Sequence, residues 1–143
     1  MSELTFGKVN HNHNKGWARD IFSDVVVMQG NARMLFLSGV GAEDPEATEP
    51  ATVQILGGAD FAEQTRIAFT KIKTVLAAHG ATMNDIVRMT AYVTDATNIW
   101  TYFAIQGEFL DGAPRPPHTF LQVAGLAVPA MLVEIEVTAA VPA

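Results

Sequence analysis

Cysteine is missing from all 143 residues. Its absence removes a disulfide frame, a thiolate nucleophile and any zinc site built on sulfur. Positive charge is scarce: nine Lys and Arg face fifteen Asp and Glu, giving a formal net charge of −6 and a pI near 5.0. A free nucleic-acid binder of this size needs a basic face, so no nucleic-acid partner is expected. No apolar run approaches the ~18 residues of a membrane span, so no membrane partner is expected either. Internal repeats, low-complexity tracts and linkers are absent. The start, Met1-Ser-Glu-Leu-Thr5, lacks the basic residues and apolar stretch of a signal peptide, which favours the cytoplasm.

What is present is apolar: 49% of residues are hydrophobic and 17% charged. Such a chain does not stay disordered. It reads as one domain, residues 1–143, able to bury roughly 68% of its unfolded surface. Residues 1–19 show little periodicity and form an irregular N-terminal segment. Val25–Met28 and Met34–Ser38 flank Gly30-Asn31 and read as a hairpin. Residues 41–50, acidic with two prolines, read as a surface loop.

Asp60 followed three residues later by Glu63 predicts a capping box. Phe61, Thr65, Ala68, Ile72, Val75 and Leu76 then recur at helical spacing until Gly80 ends the element. From Asp85 to Asp95 the pattern alternates, with Val87, Met89, Ala91 and Val93 on one face. A second helix fits 98–110, and strands fit 119–124 and 131–139. In the last strand Met131, Val133, Ile135 and Val137 oppose Leu132, Glu134, Glu136 and Thr138. The order ββ-α-β-α-ββ gives an α+β fold, two helices packed on one face of a single mixed sheet. The other sheet face needs cover, which predicts self-association.

Several features are weighed as ordinary structure. His11 and His13 have the spacing of two ligands on one strand face, but no third ligand lies nearby in sequence, so no metal is expected. Gly57-Gly58 turns the chain into a helix and lacks the Lys-Ser/Thr of a phosphate loop. Trp17, Trp100, Tyr102 and Phe103 are candidates for an aromatic ligand wall, with core packing the default for at least two of them.

An ordered set of segments resembles the RidA/YjgF family of enamine/imine deaminases. The segments are Ser38-Gly39, Gly57 to Arg66, Lys71 to Leu76, Asp85 to Thr90 with Thr94-Asp95, Gln122 to Leu126, and Val133 to Glu136. The likeness spans residues 20–143. It implies a chorismate-mutase-like fold, a homotrimer with clefts between subunits, and neither metal nor organic cofactor. It also implies hydrolysis of 2-aminoacrylate-type enamines or imines to keto acids and ammonia. By the same resemblance, Ser38 and Gly39 offer main-chain substrate contacts, and Glu134 positions water as a catalytic residue. His118 stands where the family places a substrate-clamping arginine. Phe22 replaces the family's tyrosine and Phe103 an asparagine found in some members. Arg115 is the nearest arginine to the clamp position.

These replacements have chemical consequences. Guanidinium binds a carboxylate bidentately, whereas imidazole offers one or two donors and carries charge only near or below pH ~6.5. Phe22 and Phe103 make the cleft more apolar. The expected small-molecule substrate is therefore larger or less anionic than 2-aminoacrylate, with His118 and Glu134 as an acid/base pair. The competing expectation is a trimer of the same fold that binds a metabolite without turnover.

Overall fold

A computed structural model describes residues 4–13 and 15–143. Of Met1–Thr5, on which the signal-peptide reading rests, Met1–Glu3 lie outside them. Six strands and two helices follow in the order β1 (Gly7–His11), β2 (Val25–Gln29), β3 (Ala32–Phe36), α1 (Phe61–Ala78), β4 (Ile86–Val93), α2 (Ile99–Leu110), β5 (His118–Gln122) and β6 (Val133–Pro142). The α+β class and the two helices on one sheet face agree with the sequence reading.

The predicted hairpin is corrected. β2 pairs antiparallel with β1, and β3 pairs with β6. The six strands thus form a two-stranded ribbon and a four-stranded sheet of order β3-β6-β4-β5. Gly30 takes φ +80 and its Cα lies against the Thr5 and Leu4 carbonyls, so this turn is a corner rather than a hairpin loop. The ribbon lies across the end of the sheet where β3, β4 and β5 begin. Lys8 Nζ bonds the Asn84 carbonyl, Asn10 Nδ2 donates to Arg115 O at 3.3 Å, and Ala143 N donates to Asn31 O at 3.1 Å. The N-terminal segment is therefore partly ordered as a strand.

Helix α1 begins as its cap predicts: the Asp60 carboxylate accepts from the Glu63 N–H at 3.1 Å. The reciprocal arm of the box is not made, because the Asp60 N–H is taken by Gly57 O at 3.2 Å. Phe61, Gln64, Thr65, Ala68, Phe69, Ile72 and Leu76 face inward, while Val75 is 41% exposed at the edge of the stripe. The helices pack side by side through Phe69, stacked on Phe109 at 5.2 Å and tilted against Tyr102 at 5.7 Å.

Under them the sheet alternates cleanly. Met89, Ala91 and Val93 of β4 and Val133, Ile135 and Val137 of β6 are buried. A bulge at Val87 shifts the β4–β6 register between Ile86 and Arg88. The opposite face carries Thr90, Tyr92, Leu121, Glu134 and Glu136, and no helix among the described residues covers it. No helix among the described residues is long and apolar enough to cross a membrane.

Candidate active site

Glu134 leaves β6 on the helix-free face because its neighbours Val133 and Ile135 point into the core. It lines a shallow cleft of about 410 Å3 with Gly39, Tyr92, Leu126 and Glu136. Beyond β3, Val40 and Ile135 exchange N–H···O bonds of 2.8 Å in both directions, which pins Gly39 beneath the carboxylate. A Cβ at position 39 would lie 2.9 Å from Glu134 Cδ, so a side chain there would displace the acid. Glycine is required here by close approach rather than by backbone angle.

No hydrogen bond or ion pair holds Glu134 among the described residues. Partial burial raises its pKa, and the charges of Glu43 and Glu136 add to the effect. The neighbouring acids are better satisfied. Glu136 accepts from the Tyr92 hydroxyl at 2.7 Å. Glu43 pairs with Lys71 Nζ at 3.2 Å, and that ammonium also donates to the Gly41 and Glu43 carbonyls. An unpaired carboxylate with a raised pKa, poised above a glycine in a cleft, suits proton abstraction. Tyr92 and Glu136 carried no functional reading in the sequence. The two-residue spacing of Glu134 and Glu136 was the available signal.

His118 lies elsewhere. As the first residue of β5 it pairs with Met89, so its ring shares the Met89 face and points toward the helices. Nε2 is 2.6 Å from the Tyr102 hydroxyl, and the ring meets Tyr102 and Phe103 edge to face at 5.2 and 5.1 Å. Nδ1 is buried without a hydrogen-bond partner among the described residues. Burial foremost, then the charge of Arg88, pushes the imidazole down to about 3, and Arg115 adds to the fall. His118 is therefore neutral near pH 7, and within one chain it cannot pair with Glu134 across the sheet. Strand parity puts the two side chains on opposite faces of one sheet, so the expected His118/Glu134 acid/base pair would have to form between copies of the chain.

Phe103 and Arg115 lie on the His118 side of the sheet. Phe103 is 5% exposed and packs on His118, Tyr102 and Phe120. Phe22 is half-buried, its carbonyl accepting from Asn12 Nδ2 at 3.1 Å. Arg115 does not reach the cleft. Its Nη1 donates to the fully buried Gln106 Oε1 at 2.6 Å and to Phe103 O at 3.3 Å. Ser23 Oγ and Asn10 Nδ2 bond its carbonyl. Gly107 makes room for this guanidinium, since a Cβ there would fall 2.5 Å from Nη2. Ser38 is exposed at the edge of the sheet beside Gly39.

Thus Glu134 and Gly39 share one face, and His118, Phe103 and Arg115 the other. Of the remaining aromatic candidates, Tyr102 is core, while Trp17 and Trp100 meet edge to face at 5.5 Å on the surface, 66% and 60% exposed. His11 and His13 are exposed, and among the described residues no group of three His, Asp or Glu side chains is placed to hold a metal.

The comparisons agree on one lineage. A family profile described as Endoribonuclease L-PSP matches residues 17–141. The RutC family protein YjgH of Escherichia coli K12 is 33% identical over 111 residues, 76% of each chain. The E. coli K12 protein named "Putative reactive intermediate deaminase TdcF" is 32% identical over 96 residues, 65% of this chain and 68% of its own. Among solved structures, the Rid-family protein YyfB of Yersinia pestis superposes with a TM-score of 0.80 at 30% identity, over 96% of this chain and all of that one. The chain belongs to the Endoribonuclease L-PSP family, which includes the RidA and YjgF proteins.

Proposed function

We propose that this protein is a cofactor-independent deaminase that hydrolyses a labile enamine or imine in a cleft completed by a second subunit. The unpaired Glu134 carboxylate above Gly39 carries the reading. Water would add to the carbon of the protonated imine as Glu134 accepts a proton from it, forming a neutral carbinolamine. Glu134 would then return that proton to nitrogen and take the hydroxyl proton as the C–N bond breaks, giving a carbonyl product and ammonia, and release it to solvent. The main chain at Ser38 and Gly39 would orient the substrate.

The uncovered sheet face and the family likeness support a homotrimer. The Glu134 and His118 faces of one chain point apart, so they meet only between copies. A neighbour would bring Phe22 and the partly exposed edge of His118 to the Glu134 cleft as an apolar, uncharged wall, with the buried Phe103 backing the ring from within. With His118 neutral at the clamp position and Arg115 tied to Gln106, that position offers no guanidinium to a carboxylate. The substrate class is then a larger or less anionic C–N compound than 2-aminoacrylate, in the cytoplasm. Ribonuclease activity is disfavoured, because a polyanion would meet Glu134 and Glu136 on a chain of net charge −6.

The test is a panel of imines generated by amino-acid and amine oxidases. Faster keto acid or aldehyde release with the protein than without it, strongest for neutral or aromatic imines, supports the proposal. The missing clamp favours a second reading, metabolite binding without turnover. Saturable binding with no rate enhancement on any imine would establish that instead.

A further inference from the structure

We infer that the free edge of β3 receives an extended peptide C-terminus as an added antiparallel strand, its terminal carboxylate resting on Arg33 and His79. β3 is bonded on one side only. Leu37 N donates to Val137 O at 3.1 Å, and the register pairs Arg33 with Val141 and Leu35 with Ala139. By antiparallel alternation the main-chain groups of Met34 and Phe36 therefore point away from β6. β2 pairs with β1, so no described strand meets them.

Natural sheets protect such edges with lysine, proline or a bulge. Ala32–Phe36 has no lysine, proline or bulge, its one charge is Arg33 near its start, and the side chains of Met34 and Phe36 are 39% and 78% exposed. The edge does not end in open solvent. It borders a groove of about 550 Å3 whose walls run from Arg33 to Ser38 and across to Val75 and His79 of α1. Successive residues of a strand line a groove only when it follows the strand edge, which is the geometry of strand addition beside a helix.

Charge sets the occupant and its direction. The ion pairs among the described residues, Arg66–Glu108 and Lys71–Glu43, leave Arg33 unpaired at the start of β3. His79 stands at the same end of the groove. The negative end of α1 is muted there, because His79 N and Ala81 N cap the Leu76 carbonyl and Gly80 N caps that of Ala77. A strand antiparallel to β3 places its own C-terminus at Arg33. A carboxylate at that end meets guanidinium, apolar residues before it meet Val75 and Leu37, and its main chain bonds Met34 and Phe36.

The probe is a fluorescein-labelled pentapeptide Val-Thr-Val-Thr-Val with a free C-terminus, beside its C-terminal amide, titrated by anisotropy into the intact oligomer. Saturable binding of the acid, about tenfold weaker for the amide and for Arg33→Gln, is expected. Phe36→Pro removes an N–H that β6 does not use and should abolish binding with circular dichroism and oligomeric state unchanged. If that variant does not fold, Arg33→Gln decides alone. Glu134→Gln should bind the peptide normally, which separates this groove from the catalytic cleft. Equal binding of acid and amide, no binding, or loss of the oligomer in a folded Phe36→Pro protein would overturn the inference. The last outcome would give the edge to a second copy of the chain.

Discussion

The two faces of the four-stranded sheet treat their ionisable groups in opposite ways. On the helix side, His118 is enclosed by aromatic rings, bonded to Tyr102, and driven neutral. On the open side, Glu134 keeps water contact, has no hydrogen-bond or ion-pair partner among the described residues, and has its pKa raised by burial and by the charges of Glu43 and Glu136. The first arrangement suits packing and the second suits proton transfer. Burial alone does not mark a functional group; burial without a partner, facing a cleft, does.

Breaking the open side should have the largest effect. Glu134→Gln keeps shape and removes charge, so turnover on a responsive imine should fall by about 10²–10⁴-fold while the oligomer persists. Stability should move the other way. A carboxylate with a raised folded pKa carries no penalty below its unfolded pKa and a full one above its folded pKa. Glu134→Gln should therefore raise Tm at neutral pH and leave it unchanged at pH 3. Full activity in the folded variant would move the base elsewhere.

The helix side should respond to acid instead. A histidine lowered from 6.5 to about 3 binds its proton far more readily when unfolded. Its contribution is intact above pH ~6.5 and is lost as pH falls toward 3, an amount of roughly 4–5 kcal/mol. Urea titrations of the wild type from pH 7 to pH 4 should show most of that loss. His118→Phe should be less stable at pH 7, because the buried Tyr102 hydroxyl loses its partner at about 1–3 kcal/mol. Between pH 7 and pH 4 its stability should be much flatter. A wild-type slope as flat as the variant's would mean that His118 is solvated.

The sequence made the open side more legible than the helix side, for physical reasons. The strict alternation from Val133 to Val137 aims Glu134 without reference to any distant residue, and Asp60 announces α1 locally. His118 depends on pairing with Met89 and on a helix bringing Tyr102 to it, neither of which a Pro-Pro-His segment encodes. Likewise β1, with Val9 as the one large apolar residue in Gly7–His11, becomes a strand only because β2 lies beside it. Gly30-Asn31 resembles a hairpin loop because turn chemistry is local, whereas the choice of β6 as partner for β3 is not.

Gly39→Ala sharpens the contrast with a smaller change. The added methyl meets the Glu134 side chain rather than the backbone, and a flexible carboxylate yields at little cost to folding. Stability should stay within about 0.5 kcal/mol of wild type, as for most substitutions away from the core. Activity should drop on the order of tenfold or more, because the acid moves from its place above the reacting water. The defect should appear in kcat more than in KM, since substrate still finds the Ser38 main chain. A matching loss of stability would make Gly39 a packing requirement, with no special part in holding Glu134.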